Sequence, residues 1–170
     1  MTRDEVLNAL RTMAPPVMAA PPSDWEDVPP ERRAAVLIPL VDYDEGLTVV
    51  FGQRSKALRT HAGEVSFPGG RIEAGEGEVE AALREAEEEV GLDPARVRIL
   101  ARLNTHRAGS GFTMAPHVGL VTPPIDLVPD GTEIEDVFEV PLSFLLDPVN
   151  HRRESMYWRG ADRWYSVFEY

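Results

Sequence analysis

Hydrophobic residues recur at two different spacings along the chain, and each spacing predicts a class of element. Intervals of three and four residues predict helices over residues 2–13 and 76–92. Short apolar runs bounded by turn residues predict strands, and the first two are expected to form a hairpin that turns at Tyr43 to Gly46. The predicted strands are AAVLIPLVD, LTVVFGQR, RVRILARLNTHR, FTMAPHVGLVT, the start of VFEVPLSFLLD before a short helix after Pro141, and a last hairpin in RRESMYWRGADRWYSVFEY that turns at Gly160 to Asp162.

A proline-rich connector, APPVMAAPPSDWEDVPP, separates the first helix from the first strand. Its three proline pairs exclude regular helix and central strand. We expect the connector to follow the protein surface, with Val17, Met18 and Trp25 packed against the domain. A chain of 170 residues has the length of one globular domain, with residues 1–32 as helix and connector and residues 33–170 as the core.

Acidic residues outnumber Lys and Arg by 29 to 17, which gives a net charge of −12. This balance argues against a general grip on nucleic acid or on an anionic membrane, although bound metal ions and local arginines can still attract an anionic small molecule. The absence of cysteine excludes disulfides, thiolate zinc sites and thiol nucleophiles. The first residues, MTRDEVLNALRTM, carry acids and lack a long apolar run, so the cytoplasm is the expected location.

The helix predicted over residues 76–92 places three acids close together. Glu85, Glu88 and Glu89 stand at i, i+3 and i+4, so their carboxylates share one side, away from the apolar stripe. Each such pair costs about 0.2 to 0.5 kcal/mol on an exposed helix. Arg84 can offset part of this repulsion by pairing with Glu88 or with Glu76. The apolar stripe consists of Val79, Ala82, Leu83, Ala86 and Val90, and glycines flank the helix at Gly75, Gly77 and Gly91.

Two readings explain this acidic cluster. On composition alone it is a solvated acidic face. Alternatively, carboxylates that converge on one spot supply the oxygen ligands that Mg2+ requires. Gly69 and Gly70, just upstream, favour the second reading, because a pair of residues without side chains lets the backbone bend sharply and offers a bare carbonyl oxygen.

The whole segment resembles the Nudix box of the Nudix hydrolases, which cleave a nucleoside diphosphate linked to another group. The match covers 23 residues and meets every charged and glycine position, while Ala86 is smaller than the aliphatic residue usual there. The matching order is Gly70, five residues, Glu76, seven residues, Arg84, Glu85, Ala86, one residue, Glu88, Glu89, one residue, Gly91 and Leu92.

The upstream stretch VFGQRSKALRTHAGEVSFPGG resembles the motif of the coenzyme A pyrophosphatase branch of this family. Val50, Phe51 and Gly52 depart from the usual Leu-Leu-Thr at its start. EIEDVFEVPLSFLLDPVNH is similar to the downstream part of the same branch. Relatives usually continue past the last hairpin into an apolar strand and a helix that covers one sheet face. Either the sequence is shortened, which we favour, or the N-terminal segment replaces that helix.

The resemblance implies a Nudix fold of the α/β (α+β) class, an α-β-α sandwich around a mixed sheet. It also implies a monomeric or homodimeric enzyme that uses Mg2+ or Mn2+ to hydrolyse coenzyme A or its thioesters to 3′,5′-ADP and a 4′-phosphopantetheine product. The alternatives are hydrolysis of ADP-ribose, a nucleotide sugar or a dinucleoside polyphosphate, and a silent module that only binds nucleotides or a partner protein. The implied residues are Gly70, Glu85, Glu88 and Glu89 for metal; Arg84 to orient a glutamate; Glu85, Glu89 or Glu133 as general base; and Arg54, Ser55, Lys56, Arg59, His61 and Phe67 for substrate.

Other chemistry finds little support. The histidines lack zinc-ligand spacing, and Ser66 and Ser110 lack a G-x-S-x-G context. A GSG tripeptide at residues 109–111 can cradle phosphate, but without a helix start or a lysine beside it we expect an ordinary turn. Trp158, Trp164 and Tyr165 are expected to be core or interface aromatics. The four histidines are His61, His106, His117 and His151.

Overall fold

The computed structural model describes residues 2–13, 25, 27–158 and 160–170. Its helices and strands follow the predicted order, and the two long helices have the predicted positions. The helices are α1 Arg3–Met13, α2 Glu78–Val90 and α3 Leu142–Leu146. The strands are β1 Arg33–Tyr43, β2 Gly46–Arg54, β3 Val65–Ser66, β4 Gly69–Arg71, β5 Val97–Arg102, β6 His106–Arg107, β7 Thr113–Val121, β8 Ile134–Pro141, β9 Arg152–Trp158 and β10 Ala161–Val167.

A mixed sheet of eight strands forms the centre of the described part of the chain. β1 lies inside it, antiparallel to β2 and parallel to β7. The pairing of β1 with β2 extends from the hairpin turn back to Leu40, which pairs with Val49. Nearer to the start of β1, β4 takes the place of β2, so that Ala35 pairs with Gly70. β3 pairs with the end of β2, β8 with β2, and β5 and β6 with β7. The paired glycines are therefore held in the sheet next to β1, which lies between two other strands.

Alternating side chains of the sheet build two cores. Ala35, Leu37 and Val41 of β1 point towards α2 and pack with its Ala82 and Ala86. Leu40 of β1 faces the other way, into a second cluster with residues of α1 and α3. The α-β-α layering with a mixed sheet confirms the predicted fold class. Among the helices of the described residues, none is long and apolar enough to cross a membrane.

The end of the N-terminal connector is bound to the first turn of α2. Trp25 is buried, and its indole N–H donates to the carboxylate of Glu78. That carboxylate also contacts Arg102 Nε at 2.7 Å and His117 Nε2 at 3.1 Å. Burial alone would raise the pKa of Glu78, but the hydrogen bonds from His117, Arg102 and Trp25 together outweigh burial and lower the pKa to about 2. Arg33 completes the attachment by donating to the carbonyl of Trp25.

Several predicted details need correction. RVRILARLNTHR forms two strands, β5 and the short β6, with residues 103–105 between them. A register shift between Ile99 and Ala101 lies within β5, and both strands pair with β7. The short helix after Pro141 is present as predicted: Pro141 ends β8, and α3 begins at Leu142. The last hairpin turns before Ala161, which already pairs with Trp158. Trp164 and Tyr165 are exposed on that hairpin. Val17, Met18 and the side chains of Met13 and Trp158 lie outside the described residues.

Trp25→Phe tests the attachment of the connector, because it keeps an aromatic ring and removes only the N–H donor. We expect the free energy of unfolding to fall by about 1 to 2 kcal/mol, since a buried carboxylate loses one hydrogen bond. Urea unfolding at pH 7 measures this change. Trp164→Phe, on the exposed hairpin, is the matched control and should stay within about 0.5 kcal/mol of the parent. Equal effects of the two substitutions would contradict the attachment.

Candidate active site

Helix α2 has well-defined ends and one closely packed face. Gly77 precedes its first residue, and the Gly77 N–H donates to the Glu80 carboxylate at 2.8 Å. Gly91 ends the helix in the left-handed conformation, with φ of 70°. The small side chains of Ala81, Ala82 and Ala86 are fully buried, so the helix axis lies close to the sheet.

The backbone of Gly69 and Gly70 passes so close to its neighbours that neither residue has room for a side chain. A Cβ on Gly69 would lie 2.5 Å from the Ala35 carbonyl oxygen and 2.7 Å from Val36 Cα. A Cβ on Gly70 would lie 2.8 Å from Oε2 of Glu85 and closer still to the rest of that carboxylate. Glycine is therefore required at Gly69, where a Cβ would meet backbone, whereas at Gly70 a Cβ would displace the Glu85 carboxylate, which rests directly on bare backbone.

Glu89 is buried, which differs from the prediction that all three acids face away from the apolar stripe. It lies three residues after Ala86, and its Oε2 accepts a hydrogen bond from the Gly69 N–H at 3.0 Å. Burial raises the pKa of Glu89 from its ordinary 4.5 to about 7, and the nearby charges of Glu85 and Glu133 add to the rise. The backbone donor at Gly69 and the charge of Arg54 act in the opposite direction.

Arg84 contacts three acids at once. Its guanidinium forms a fork with Glu76, with Nε to Oε1 at 2.8 Å and Nη2 to Oε2 at 3.1 Å. Its Nη1 reaches Glu85 at 3.0 Å and Glu88 at 3.1 Å. Nη2 also donates to the Arg71 carbonyl oxygen at 3.1 Å. Both pairings considered for Arg84 are present, and the side chain holds α2 to the loop before it and to the end of β4.

Glu133 and Arg54 lie beside the acidic helix. Arg54 Nη2 contacts Glu133 Oε2 at 3.5 Å, and the charge of Glu133 raises the pKa of both Glu85 and Glu89. For Glu85, burial is the larger cause of the raised pKa, while the contact with Arg84 opposes the rise. Arg54 Nε is buried without a hydrogen-bond partner in the described part of the chain. The structure thus brings Arg54 and Glu133 together with the acids of α2.

The other predicted substrate residues are more dispersed. Ser55 is buried, and its Oγ accepts from the Ala57 N–H within the turn after β2. Lys56 approaches Glu135, 4.0 Å between Nζ and Oε1, and His61 Nδ1 lies 2.8 Å from Glu64. Arg59 is exposed. The ring of Phe67 stacks on Phe51 with 4.9 Å between centroids and adjoins the second core.

The donor types of the cluster suit a hard divalent cation, since three carboxylates stand beside a backbone without side chains. They are not gathered into a finished cage: in residues 2–13, 25, 27–158 and 160–170, no three acidic or imidazole side chains form a metal-binding group. Glu85 and Glu88 are instead separated by the guanidinium of Arg84, and the Glu88 side chain is 60% exposed. Sequence reasoning missed the Gly69 N–H as the partner of Glu89, although the glycine pair signalled a close backbone approach.

A family model described as the NUDIX domain matches residues 31–166. The chain belongs to the Nudix family. Mitochondrial Nudix hydrolase 15 of Arabidopsis thaliana is 38% identical over 143 residues, which are 82% of this chain and 50% of that protein. The chain thus spans half the length of that relative. The uncharacterized Nudix hydrolase NudL of Shigella flexneri is 35% identical over 173 aligned positions, covering 99% of this chain and 85% of that protein.

Solved structures support the Nudix fold. A Caenorhabditis elegans Ap4A hydrolase in a binary complex matches with a TM-score of 0.56 and 20% identity, over 65% of this chain and 80% of that one. The NUDIX domain of Shewanella oneidensis NrtR, complexed with ADP ribose, matches with a TM-score of 0.52 and 20% identity, over 86% of this chain and 87% of that one. At this identity the likeness concerns the fold.

Gly70→Ala tests the close approach of the Nudix box backbone to Glu85. We expect a loss of about 2 kcal/mol or more in unfolding free energy, because the new methyl group occupies the position of the carboxylate. The double variant Gly70→Ala with Glu85→Ala should recover most of this loss, since truncation of Glu85 makes room for the methyl group. Urea unfolding of the four proteins in the cycle measures the coupling. Additive effects would show that the two residues do not touch.

Glu89→Gln tests the buried charge. Above pH 7 Glu89 is ionised in both the folded and the unfolded state, and the folded state is destabilised by a buried anion. As the pH falls below 7, Glu89 becomes protonated in the folded state while it is still ionised in the unfolded state, and the destabilisation is lost. In chelator-containing buffer the variant should therefore be more stable than the parent by about 2 kcal/mol at pH 8 and nearly equal at pH 5. Glu87→Gln, exposed on the same helix, is the control. A gain independent of pH would contradict the assignment.

Proposed function

We propose that the protein is a metal-dependent Nudix hydrolase that cleaves the diphosphate of coenzyme A or its thioesters. The observation that carries this proposal is the position of Arg54 and Glu133 beside Glu89, with Glu133 also near Glu85. It joins the upstream motif that resembles the coenzyme A pyrophosphatase branch to the acids of the Nudix box. In the reaction, water forms a new bond to phosphorus, the P–O–P bridge breaks, and 3′,5′-ADP and 4′-phosphopantetheine are released.

Glu85, Glu88 and Glu89, with the carbonyl oxygen of Gly70, would hold Mg2+ or Mn2+. Such an ion supplies positive charge against the diphosphate and makes water more acidic. The raised pKa values of Glu85 and Glu89 support this role, because crowded, partly buried carboxylates gain from a nearby cation. Arg84 keeps Glu85 oriented through its fork on Glu76, a geometry that lysine does not reproduce.

Glu133 is assigned to accept the proton from the attacking water. Of the three candidate bases it is the most exposed, with a side chain 57% accessible, and its closest cation, Arg54, is 3.5 Å away. Glu85 and Glu89 are already engaged by Arg84 and by the Gly69 N–H. Arg54, whose guanidinium is partly exposed beside Glu133, would contact the diphosphate.

A second candidate function is hydrolysis of another nucleoside diphosphate derivative. It is favoured by the likeness to a fold neighbour that binds ADP ribose and to another that is an Ap4A hydrolase. Lys56 and His61, which the resemblance implies as substrate-binding residues, already contact Glu135 and Glu64, so they are less available to a phosphate of coenzyme A than the sequence suggests.

One assay separates these functions. The protein is incubated with Mg2+ or Mn2+ and coenzyme A, dephospho-coenzyme A, ADP-ribose or Ap4A, and the products are resolved by chromatography. Coenzyme A should be split at the highest kcat/KM, and chelator should abolish the reaction. Glu133→Gln should lower kcat by about 10²- to 10⁴-fold with little change in KM. Glu87→Gln is the control on α2. If ADP-ribose is split while coenzyme A stays intact, the coenzyme A assignment is wrong.

A further inference from the structure

Two arginines outside the acidic cluster contact a single aromatic ring. The guanidinium carbon of Arg71 lies 5.0 Å from the centroid of the Phe112 ring, and that of Arg32 lies 5.5 Å from it. Both arginine residues are exposed, and Phe112 is half-buried. Contact with an aromatic ring restrains a guanidinium group and leaves its N–H edge available to a ligand.

Neither guanidinium forms an ion pair with a carboxylate of the described residues, and Arg32 makes a single 3.5 Å contact with the carbonyl oxygen of Ser110. Other arginines of the described residues, among them Arg59 and Arg107, also lack an ion pair, so the shared contact with Phe112 is what distinguishes Arg32 and Arg71. Arg54, Lys56 and His61 each approach a carboxylate. Arg32 and Arg71 are therefore more available to an anion than Arg54, Lys56 and His61.

The GSG tripeptide forms a tight turn against this pair. The Gly111 N–H donates to the Ala108 carbonyl oxygen at 3.0 Å, and the Ala108 N–H donates to the Phe112 carbonyl oxygen at 2.8 Å. Gly111 has a φ of 88°, which glycine adopts without strain. The sequence predicted an ordinary turn because neither a helix start nor a lysine stood beside it. Arg32 brings a guanidinium to this turn from a distant part of the sequence, with Nη1 3.5 Å from the Ser110 carbonyl oxygen.

The arginine pair adjoins the candidate active site. Arg71 directly follows Gly70, and its carbonyl oxygen accepts from Arg84. Ala34 pairs with both Arg71 and Met114, so these residues form one row on a single face of the sheet, opposite to the face on which Gly70 meets Glu85. To contact both the acidic cluster and the arginine pair, a ligand would have to extend around β4 from one face of the sheet to the other.

We propose that Arg32 and Arg71, held against Phe112 beside the 109–111 turn, bind a phosphate monoester that the substrate carries in addition to the cleaved diphosphate. This inference rests on the proposed function and deepens it, because coenzyme A carries such a group as its 3′-phosphate. Planar guanidinium groups match the oxygens of a phosphate monoester by paired, charge-assisted hydrogen bonds. The arginine pair would then select substrates with the second phosphate over those without it.

The test compares two ligands that differ only in that group. Binding of 3′,5′-ADP and of AMP is measured by calorimetry on the full chain. The parent should bind 3′,5′-ADP more tightly than AMP. Arg32→Ala and Arg71→Ala should each weaken 3′,5′-ADP binding by about tenfold and leave AMP binding unchanged. Arg153→Ala is the matched control, since Arg153 also lies over an aromatic ring, 5.6 Å from that of Trp164 on the last hairpin.

A second arm uses hydrolysis. The KM for coenzyme A should rise in Arg32→Ala while the KM for dephospho-coenzyme A stays constant. Loss of both activities together, or equal weakening of 3′,5′-ADP and AMP, would overturn the inference, as would a parent that binds the two nucleotides equally. If Arg71→Ala does not fold, Arg32→Ala and Arg32→Glu carry the comparison.

The two proposals fail separately. In one outcome the protein hydrolyses coenzyme A, but Arg32→Ala does not change the KM for coenzyme A relative to that for dephospho-coenzyme A. The phosphate site is then wrong, and the enzyme assignment stands. In the other outcome the protein does not hydrolyse coenzyme A, but its binding of 3′,5′-ADP still depends on Arg32. The substrate assignment is then wrong, and the phosphate site stands.

Discussion

The backbone of Gly69 and Gly70 has no room for side chains, and this constraint determines the geometry of the whole acidic site. On one side the glycines lie against Ala35 and Val36 of the central strand, and on the other they touch Glu85. The same segment donates the Gly69 N–H to Glu89. Because β4 is hydrogen-bonded to β1, the acids of α2 are positioned relative to the sheet by contact with backbone, which cannot change rotamer.

Close packing of α2 offsets an unfavourable charge arrangement. Three alanines and Val90 bury one side of the helix against the sheet, while Glu89 is forced into a partly dry environment and Glu85 is crowded by Glu88 and Glu133. Arg84 compensates only in part, since one guanidinium serves Glu76, Glu85 and Glu88. The helix is stable because of its apolar contacts and is electrostatically frustrated at its polar face, a combination common where function sets the charges.

Local patterns predicted the parts of the molecule that local physics determines. The ends of α2 follow from its flanking glycines, and the first hairpin follows from two apolar runs around a turn. The burial of Glu89 could not be predicted in this way. Helical spacing indicates on which side of the helix a residue lies, but not how closely the neighbouring strand packs against that side. The pairs Trp25 with Glu78 and Arg32 with Phe112 join residues 53 and 80 positions apart, and no periodicity reports such contacts. The site residues carried by the family motif stay predictions until activity is measured.

The buried carboxylate of Glu78 receives its donors from three separate stretches of chain: Trp25 before the first strand, Arg102 in β5 and His117 in β7. A fragment trimmed to residues 33–170 would keep every strand and the whole acidic cluster, yet leave this anion short of its indole donor. Glu78 is also the first residue of α2. Trimming would therefore loosen the opening turn of the helix that bears the acids, about two helical turns before Glu85.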